Sequence, residues 1–310
     1  MNTKNKIIEK ILELKKKLNA VILVHYYQLG EVQEIADFIG DSLGLSLEAE
    51  KTNADVIIFC GVKFMAETAA IICPDKKVLL PDLYAGCPMA EMITREQLIS
   101  LKDQYKDEDI EVVCYVNSNA DVKAESTICC TSANSIKIVN SISPDKKIIF
   151  IPDKYLALYT ERMTKRKFII WNGYCPTHLL INKNDILNIK EKYPDAVVLA
   201  HPECSLEVQN IADVIASTGG MVNYVKNSNK KIFIIATENG LIYYLQKNFS
   251  DKIFLSVNER IICPNMKKIR LENVLWSMEE MRYEITVEDE IATKARKAIQ
   301  RMLEISKNKG

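Results

Sequence analysis

Three Cys-Pro dipeptides are the residues of this sequence best suited to chemistry. They stand in DLYAGCPMAEM around Cys87, NGYCPTHLL around Cys175 and ERIICPNMKK around Cys263, at intervals of 88 and 88 residues. Thiolates are soft donors, so three of them at one point suit a soft metal centre. A closed zinc site takes four ligands, and only His25, His178 and His201 offer an obvious fourth. An iron–sulfur cluster normally takes four cysteines. A cubane on three would leave one iron open to act on a substrate oxygen as a Lewis acid. Cysteine is also a common core residue, so the types alone decide nothing. The interval decides, if the chain repeats.

It does repeat. AVILVHYYQ, EVVCYVNSN and AVVLAHPEC are short apolar runs that end in polar clusters, anchored on His25, Tyr115 and His201. From these anchors the cysteines lie 62, 60 and 62 residues on, and the hydroxyl residues Ser42, Ser132 and Thr218 each lie 17 on. Three landmarks in register indicate an internal triplication. The other six cysteines, Cys60, Cys73, Cys114, Cys129, Cys130 and Cys204, fall outside the repeat and read as core thiols, Cys204 least clearly because it follows Glu203. The count of nine is odd and no CxxC occurs. A disulfide scaffold, a zinc ribbon and a thioredoxin-like pair all lack their pattern.

Each repeat reads strand, helix, strand, helix, strand. The middle strands are ADVIIFCGVKF, KKIIFIPDKY and KKIFIIATENG; the last are KVLLPDLYAGC, KFIIWNGYC and KIFLSVNERIIC. Such Val- and Ile-rich runs belong in buried parallel sheets, and EVQEIADFIG between the first two carries a helical period through Ile39. The expected fold class is α/β: three homologous three-layer α/β/α domains around a pseudo-threefold axis with a central cavity. The boundaries are 1–89, 90–178 and 179–310, with end helices near 4–18 and 287–307 packed outside. Ligands of open parallel sheets bind beyond the carboxyl ends of the strands, where both the polar clusters and the cysteines lie.

Composition narrows the partners. Lys plus Arg and Asp plus Glu are 41 each, so no basic excess awaits a phosphate backbone and no nucleic-acid partner is expected. No apolar run approaches the roughly 20 residues of a membrane span. The opening MNTKNKIIEKILELKKKL lacks the h-region and cleavage site of a signal peptide. The chain reads as soluble and cytoplasmic.

HYYQ at 25–28, GDS at 40–42, PDLYAGCPMA at 81–90, YVNS at 115–118, TSAN at 131–134, HPEC at 201–204, STGGM at 217–221 and ATENG at 236–240 together resemble the quinolinate synthase family, the A proteins of bacterial NAD biosynthesis. The likeness runs from about residue 20 to 280, with the motifs in order. It implies a transferase that condenses iminoaspartate (iminosuccinate) with dihydroxyacetone phosphate to quinolinate, phosphate and water. It also implies a pseudo-threefold α/β architecture and an oxygen-sensitive 4Fe–4S cluster on Cys87, Cys175 and Cys263. Carried over by motif, the substrate residues are His25, Ser42, Tyr115, Val116, Asn117, Ser132, His201, Pro202, Glu203 and Thr218. An L-aspartate oxidase or dehydrogenase would be the functional partner. Around the third ligand the segment is CPNM, without the CxxC-type pair of some members, so Cys263 lacks the neighbour a regulatory disulfide needs.

The residue types suit that chemistry. Both substrates are anionic, and hydroxyls with N–H groups at helix starts bind anions, although Ser and Thr also serve there simply as caps. Ring formation is dominated by proton transfers, for which Glu203 is the expected general base. Tyr115 and Tyr27 are the expected proton donors, and His25 and His201 complete the catalytic set. His178, in CPTHLL, reads as structural. Glu67 and Glu238 read as caps, and Lys63 and Lys154 as candidates to offset substrate charge. Two other readings fit a triplicated three-cysteine chain: another α/β enzyme of that plan, such as the diphthamide-synthesis or hydroxymethylbutenyl diphosphate reductase type, or a non-enzymatic iron–sulfur sensor or carrier. The former lack HPEC, STGGM and YVNS; the latter would want a DNA-binding element or four ligands.

Overall fold

The computed structural model describes residues 3–307; residues 1–2 and 308–310, at the outer edges of the first and third expected domains, lie outside the described residues. Three four-stranded parallel sheets follow one another along the chain. The first holds β1 (Ala20–His25), β2 (Phe38–Gly40), β3 (Val56–Cys60) and β4 (Lys77–Leu79). The second holds β5 (Ile110–Tyr115), β6 (Ile128–Cys130), β7 (Lys147–Ile151) and β8 (Phe168–Ile170). The third holds β9 (Val197–Ala200), β10 (Val214–Ile215), β11 (Ile232–Ala236) and β12 (Ile253–Ser256). Each has the spatial order second, first, third, fourth. The order therefore reverses beside the first strand, which opens a crevice at its carboxyl end.

The sequence led to three strands per unit, and the structure has four. β2, β6 and β10 are too short to stand out as apolar runs, and the helical period through Ile39 ends early: the helix is only Gly30–Gln33 and Ile39 lies in β2. A repeated side-chain device fixes these short strands. Asp37, Thr127 and Asp213 each accept the N–H of a residue in the neighbouring first strand, Ile22, Val112 and Val198, at 2.9, 2.9 and 2.7 Å.

The strands are buried on both faces. Val197, Leu199, Phe233 and Ile235 of the third sheet face the main core, while Val198, Ala200, Ile234 and Ala236 face a second cluster, the period of two expected of a pleat. Each fully buried Ile, Leu or Phe contributes about 1.5–3 kcal/mol.

Buried side chains tie the turns after the first strands to the neighbouring unit. Gln33 donates to the carbonyls of Tyr26 and Gln28 and also reaches Gly240 of the third unit, at 3.1, 3.0 and 3.1 Å. Gln209 does the same for Pro202 and Cys204 and reaches Tyr155 of the second unit, at 2.8, 3.0 and 3.4 Å. At the equivalent place the second unit has Lys123, fully buried, donating to Thr68 Oγ1 and the Phe64 carbonyl of the first unit at 2.9 and 3.3 Å. Each unit thus grips one of the others.

The end helices are Thr3–Lys17 and Asp289–Lys307. The last one turns back onto the first two units: Arg296 donates to the Ile71 carbonyl, Arg301 to Glu111, and Ser306 Oγ accepts from Asn134, at 2.7, 2.9 and 2.9 Å. Among the described residues no helix is long and apolar enough to cross a membrane.

Candidate active site

One cavity is lined from all three units. His25, Tyr27 and Ser42 of the first unit, Tyr115, Asn117 and Ser132 of the second, and His201, Glu203 and Thr218 of the third meet there with Cys87, Cys175 and Cys263. Of the expected substrate residues only Val116 and Pro202 contribute no lining. Val116 donates its N–H to the Cys130 carbonyl at 2.9 Å, and Pro202 gives its carbonyl to Gln209 at 2.8 Å. Lys63 and Lys154 stay out of the cavity as well: Lys63 pairs with Glu67 at 3.7 Å, and Lys154 donates to Asn172 at 3.2 Å.

The turns after the first strands aim the polar groups. His25 Nδ1 accepts the N–H of Tyr27 at 3.1 Å, and His201 Nδ1 that of Glu203 at 3.3 Å. Each ring therefore carries its proton on Nε2. Burial holds both imidazoles down to about 3, with neighbouring His201 and Lys267 adding to the effect on His25. Both are neutral donors at physiological pH. In the second unit Asn117 takes the place of Tyr27 and Glu203, and its Oδ1 is buried without a protein partner.

A hydrogen-bonded chain crosses the cavity wall. Tyr115 OH donates to Glu203 Oε1 at 2.5 Å, and Ser132 bonds the same phenol. His178 Nδ1 lies 2.8 Å from Glu203 Oε2, and its Nε2 lies 2.9 Å from Thr237 Oγ1. Tyr27 OH is 2.5 Å from Thr237 Oγ1. With the carboxylate against Nδ1, that nitrogen bears the proton and Nε2 accepts from Thr237, which in turn accepts from Tyr27. Burial alone would raise the Glu203 carboxyl, but the neighbouring imidazoles His178 and His201 and the hydrogen bonds from His178 and Tyr115 outweigh it and hold the group below the usual carboxylate range. Burial and then the Glu203 charge push both phenols well up. The result is an ionised carboxylate between protonated donors. His178, read from sequence as structural, is thus a member of the site; it stands three residues after Cys175 on the short helix Pro176–Leu179, with Nδ1 3.2 Å from the Cys175 sulfur. That spacing was the available signal.

The three loop cysteines fit a shared metal cluster. Each is partly exposed to the cavity, whereas the other six are buried in the core. Backbone N–H groups point at each sulfur: Met89 and Ala90 at Cys87, His178 at Cys175, Asn265 and Met266 at Cys263. Burial pushes Cys87 up to about 12, Cys175 well up, and Cys263 up. Cys263 adds to the effect on Cys87, and both Cys87 and Cys263 add to that on Cys175. The charges of the other two sulfurs thus reach Cys175, and that of Cys263 reaches Cys87. Crowded thiolates are stable only with cations between them, and metal binding would expel their protons. Cys175, His178 and Glu203 also lie with ligand atoms within 4.8 Å of one another. There His178 and Glu203 satisfy each other by a hydrogen bond, which leaves the sulfur as the free donor.

Carboxylates hold two of the cysteine loops. Glu238 accepts the N–H of Cys263 at 3.0 Å and that of Gly240, at the start of helix Gly240–Asn248, at 2.6 Å. Buried Asp153 accepts from Cys175 and, at 2.7 Å, from Leu156. Glu67 accepts the N–H of Ala120 at 3.1 Å, at the start of helix Ala120–Ala124. Glu238 precedes the helix whose first N–H it accepts, as its sequence context indicated, whereas Glu67 lies inside helix Lys63–Ile72 and instead caps a helix of the second unit.

A family model described as quinolinate synthetase A protein matches residues 9–304. A relative from Methanosarcina barkeri, named quinolinate synthase, is 54% identical over 299 residues, 96% of this chain and 97% of the relative. Relatives of the same name from Thermodesulfovibrio yellowstonii and Dehalococcoides mccartyi are 52% and 50% identical, over 96% of this chain and 98% of each relative. Matched over nearly its whole length, the chain belongs to the quinolinate synthetase A protein family.

Proposed function

We propose that this chain is a quinolinate synthase that condenses iminoaspartate with dihydroxyacetone phosphate to quinolinate, phosphate and water. The observation that carries the reading is the meeting of three N–H-supported cysteines with the Glu203–His178 chain in one cavity. We place the three units, with boundaries 1–89, 90–178 and 179–310, around a pseudo-threefold axis through that cavity; the cyclic grips of Gln33, Lys123 and Gln209 support this arrangement. Nine free cysteines suit the reducing cytoplasm. An L-aspartate oxidase or dehydrogenase would supply the imine.

Cys87, Cys175 and Cys263 would hold a 4Fe–4S cluster, which when bound supplies Lewis-acid polarisation of a substrate oxygen. The remaining work falls to side chains. Ser42, Ser132 and Thr218 donate to carboxylate and phosphate oxygens, and neutral His25 and His201 add Nε2–H donors. The free Oδ1 of Asn117 accepts from a substrate hydroxyl or nitrogen. Glu203 takes a proton from substrate carbon, and His178 keeps that carboxylate ionised and aimed. Tyr115 and Tyr27 return protons to departing oxygens, Tyr27 being held in place by its hydrogen bond to Thr237. The apolar part of the wall, Val62, Phe64, Met65, Met89 and Met266, keeps water from intermediates.

Anaerobically reconstituted protein given oxaloacetate, ammonia and dihydroxyacetone phosphate should form pyridine-2,3-dicarboxylate, detected by mass spectrometry. Protein with its full iron content that forms none would refute the assignment.

A further inference from the structure

Two of the substrate hydroxyls stand directly after capping residues that bond each other across units. Asp41 caps helix Ser42–Lys51 by accepting the Gly44 N–H at 2.9 Å, and Ser217 caps Thr218–Asn227 by accepting that of Gly220 at 3.1 Å. Ser217 Oγ also donates to Asp41 Oδ2 at 3.0 Å. The contact is close-packed: a Cβ on Gly219 would meet Asp41 Oδ2 at 2.7 Å. Asp41 lines the cavity and also a neighbouring depression that shares Ser132 with it, so it stands on the boundary between the two. The second unit has a different arrangement. Thr131, at the equivalent position, accepts from Ala133 within its own turn at 3.2 Å, and Asn134 beside it reaches Ser306 of the last helix.

We infer that Asp41 is a positioning residue of this site: through Ser217 it clamps two helix starts so that Ser42 and Thr218 present their donors to the anionic substrate at one fixed spacing. The inference rests on the assignment of those two hydroxyls to substrate binding. A clamp between two caps leaves Ser132 as the independently mounted one of the three hydroxyls.

The probe is pyridine-2,3-dicarboxylate, titrated into anaerobic cluster-loaded protein, with iron content measured for every variant. Asp41→Ala and Ser217→Ala should each weaken binding about tenfold, the worth of one good hydrogen bond, at unchanged iron. The double variant should be no worse than either single one. Asp41→Asn still accepts from Gly44 and can donate its amide to Ser217 Oγ, so it should bind within about threefold of the parent. KM should rise in the alanine variants more than kcat falls. Losses that multiply in the double variant, or an Asp41→Asn as weak as Asp41→Ala, would overturn the clamp. Should Asp41→Ala fail to hold iron, Ser217→Ala compared with Asp41→Asn/Ser217→Ala carries the same test: equal affinities support the clamp and a further loss refutes it. Ser42→Ala separates the two levels. If it leaves binding unchanged, the hydroxyl assignment itself fails; if it weakens binding while Asp41→Ala does not, only the clamp fails.

Discussion

The two sides of the cavity are built on different rules. On the cysteine side the three units agree: one cysteine before a proline in each, its sulfur facing backbone N–H groups two or three residues on. Where the first strands end, the units disagree. His25 and Tyr27, Tyr115 and Asn117, and His201 and Glu203 occupy matching places, so the same backbone turn presents a phenol, an amide and a carboxylate. A cluster asks for identical donors from each direction, whereas joining two unlike substrates asks for an acid, a base and a binding group. Triplication provides the frame; divergence at two positions of each turn provides the unlike groups that the proposed reaction needs.

Breaking the uniform side should have the largest effect. Serine at Cys87, Cys175 or Cys263 should abolish cluster and product together, while Cys73→Ser, in the core, should keep both, as read by iron and sulfide analysis. A Cys175→Ser protein with full iron would dissolve the distinction between the two cysteine sets.

Next comes the divergent side. Glu203→Gln keeps the shape but removes the base, so the variant should retain its cluster and its affinity for pyridine-2,3-dicarboxylate while turnover falls by about 10²–10⁴. His178→Asn should fall in the same range. Combining the two should cost little more than either alone, because they act as a unit. Independent losses would separate them.

A smaller effect is expected at the hydroxyls. Thr218→Ala should weaken product binding by roughly tenfold, the worth of a hydrogen bond to a charged group, with iron content unchanged. Smallest of all is the pH response of the two neutral imidazoles. Burial keeps His25 and His201 near 3, so both stay unprotonated from pH 6 to 8, and His201→Asn should lower the rate without removing a limb from that profile. An acid limb near pH 6.5 that vanishes in this variant would show His201 to be exposed to protons after all.

Much of this was legible in the sequence because a triplication turns weak signals into registered ones. Three cysteines and three hydroxyl residues at matching offsets located one cavity before any fold was known. The same logic explains what was missed. His178 has no counterpart in the other units, where Ala90 and Met266 hold its place, so a search for repeats set it aside. Gln33, Lys123 and Gln209 do hold matching positions, but their differing types concealed a shared task. The short strands β2, β6 and β10 are made by a side chain binding the adjacent strand rather than by an apolar run. The return of the last helix to the first two units depends on contacts far apart in sequence. Ser132 differs from its counterparts for a local reason: helix Ser135–Asn140 starts three residues later than the repeat suggests.

By this reading the loop cysteines hold a four-iron cluster within the cavity where these turns meet. The most direct measurement is the hyperfine coupling between the reduced cluster and isotopically labelled pyridine-2,3-dicarboxylate in anaerobic protein. About four iron and four sulfide per chain are expected, with coupling from the labelled ligand that is lost on competition with unlabelled compound. A cluster that carries a fourth protein ligand and shows no coupling at saturating dicarboxylate would contradict it.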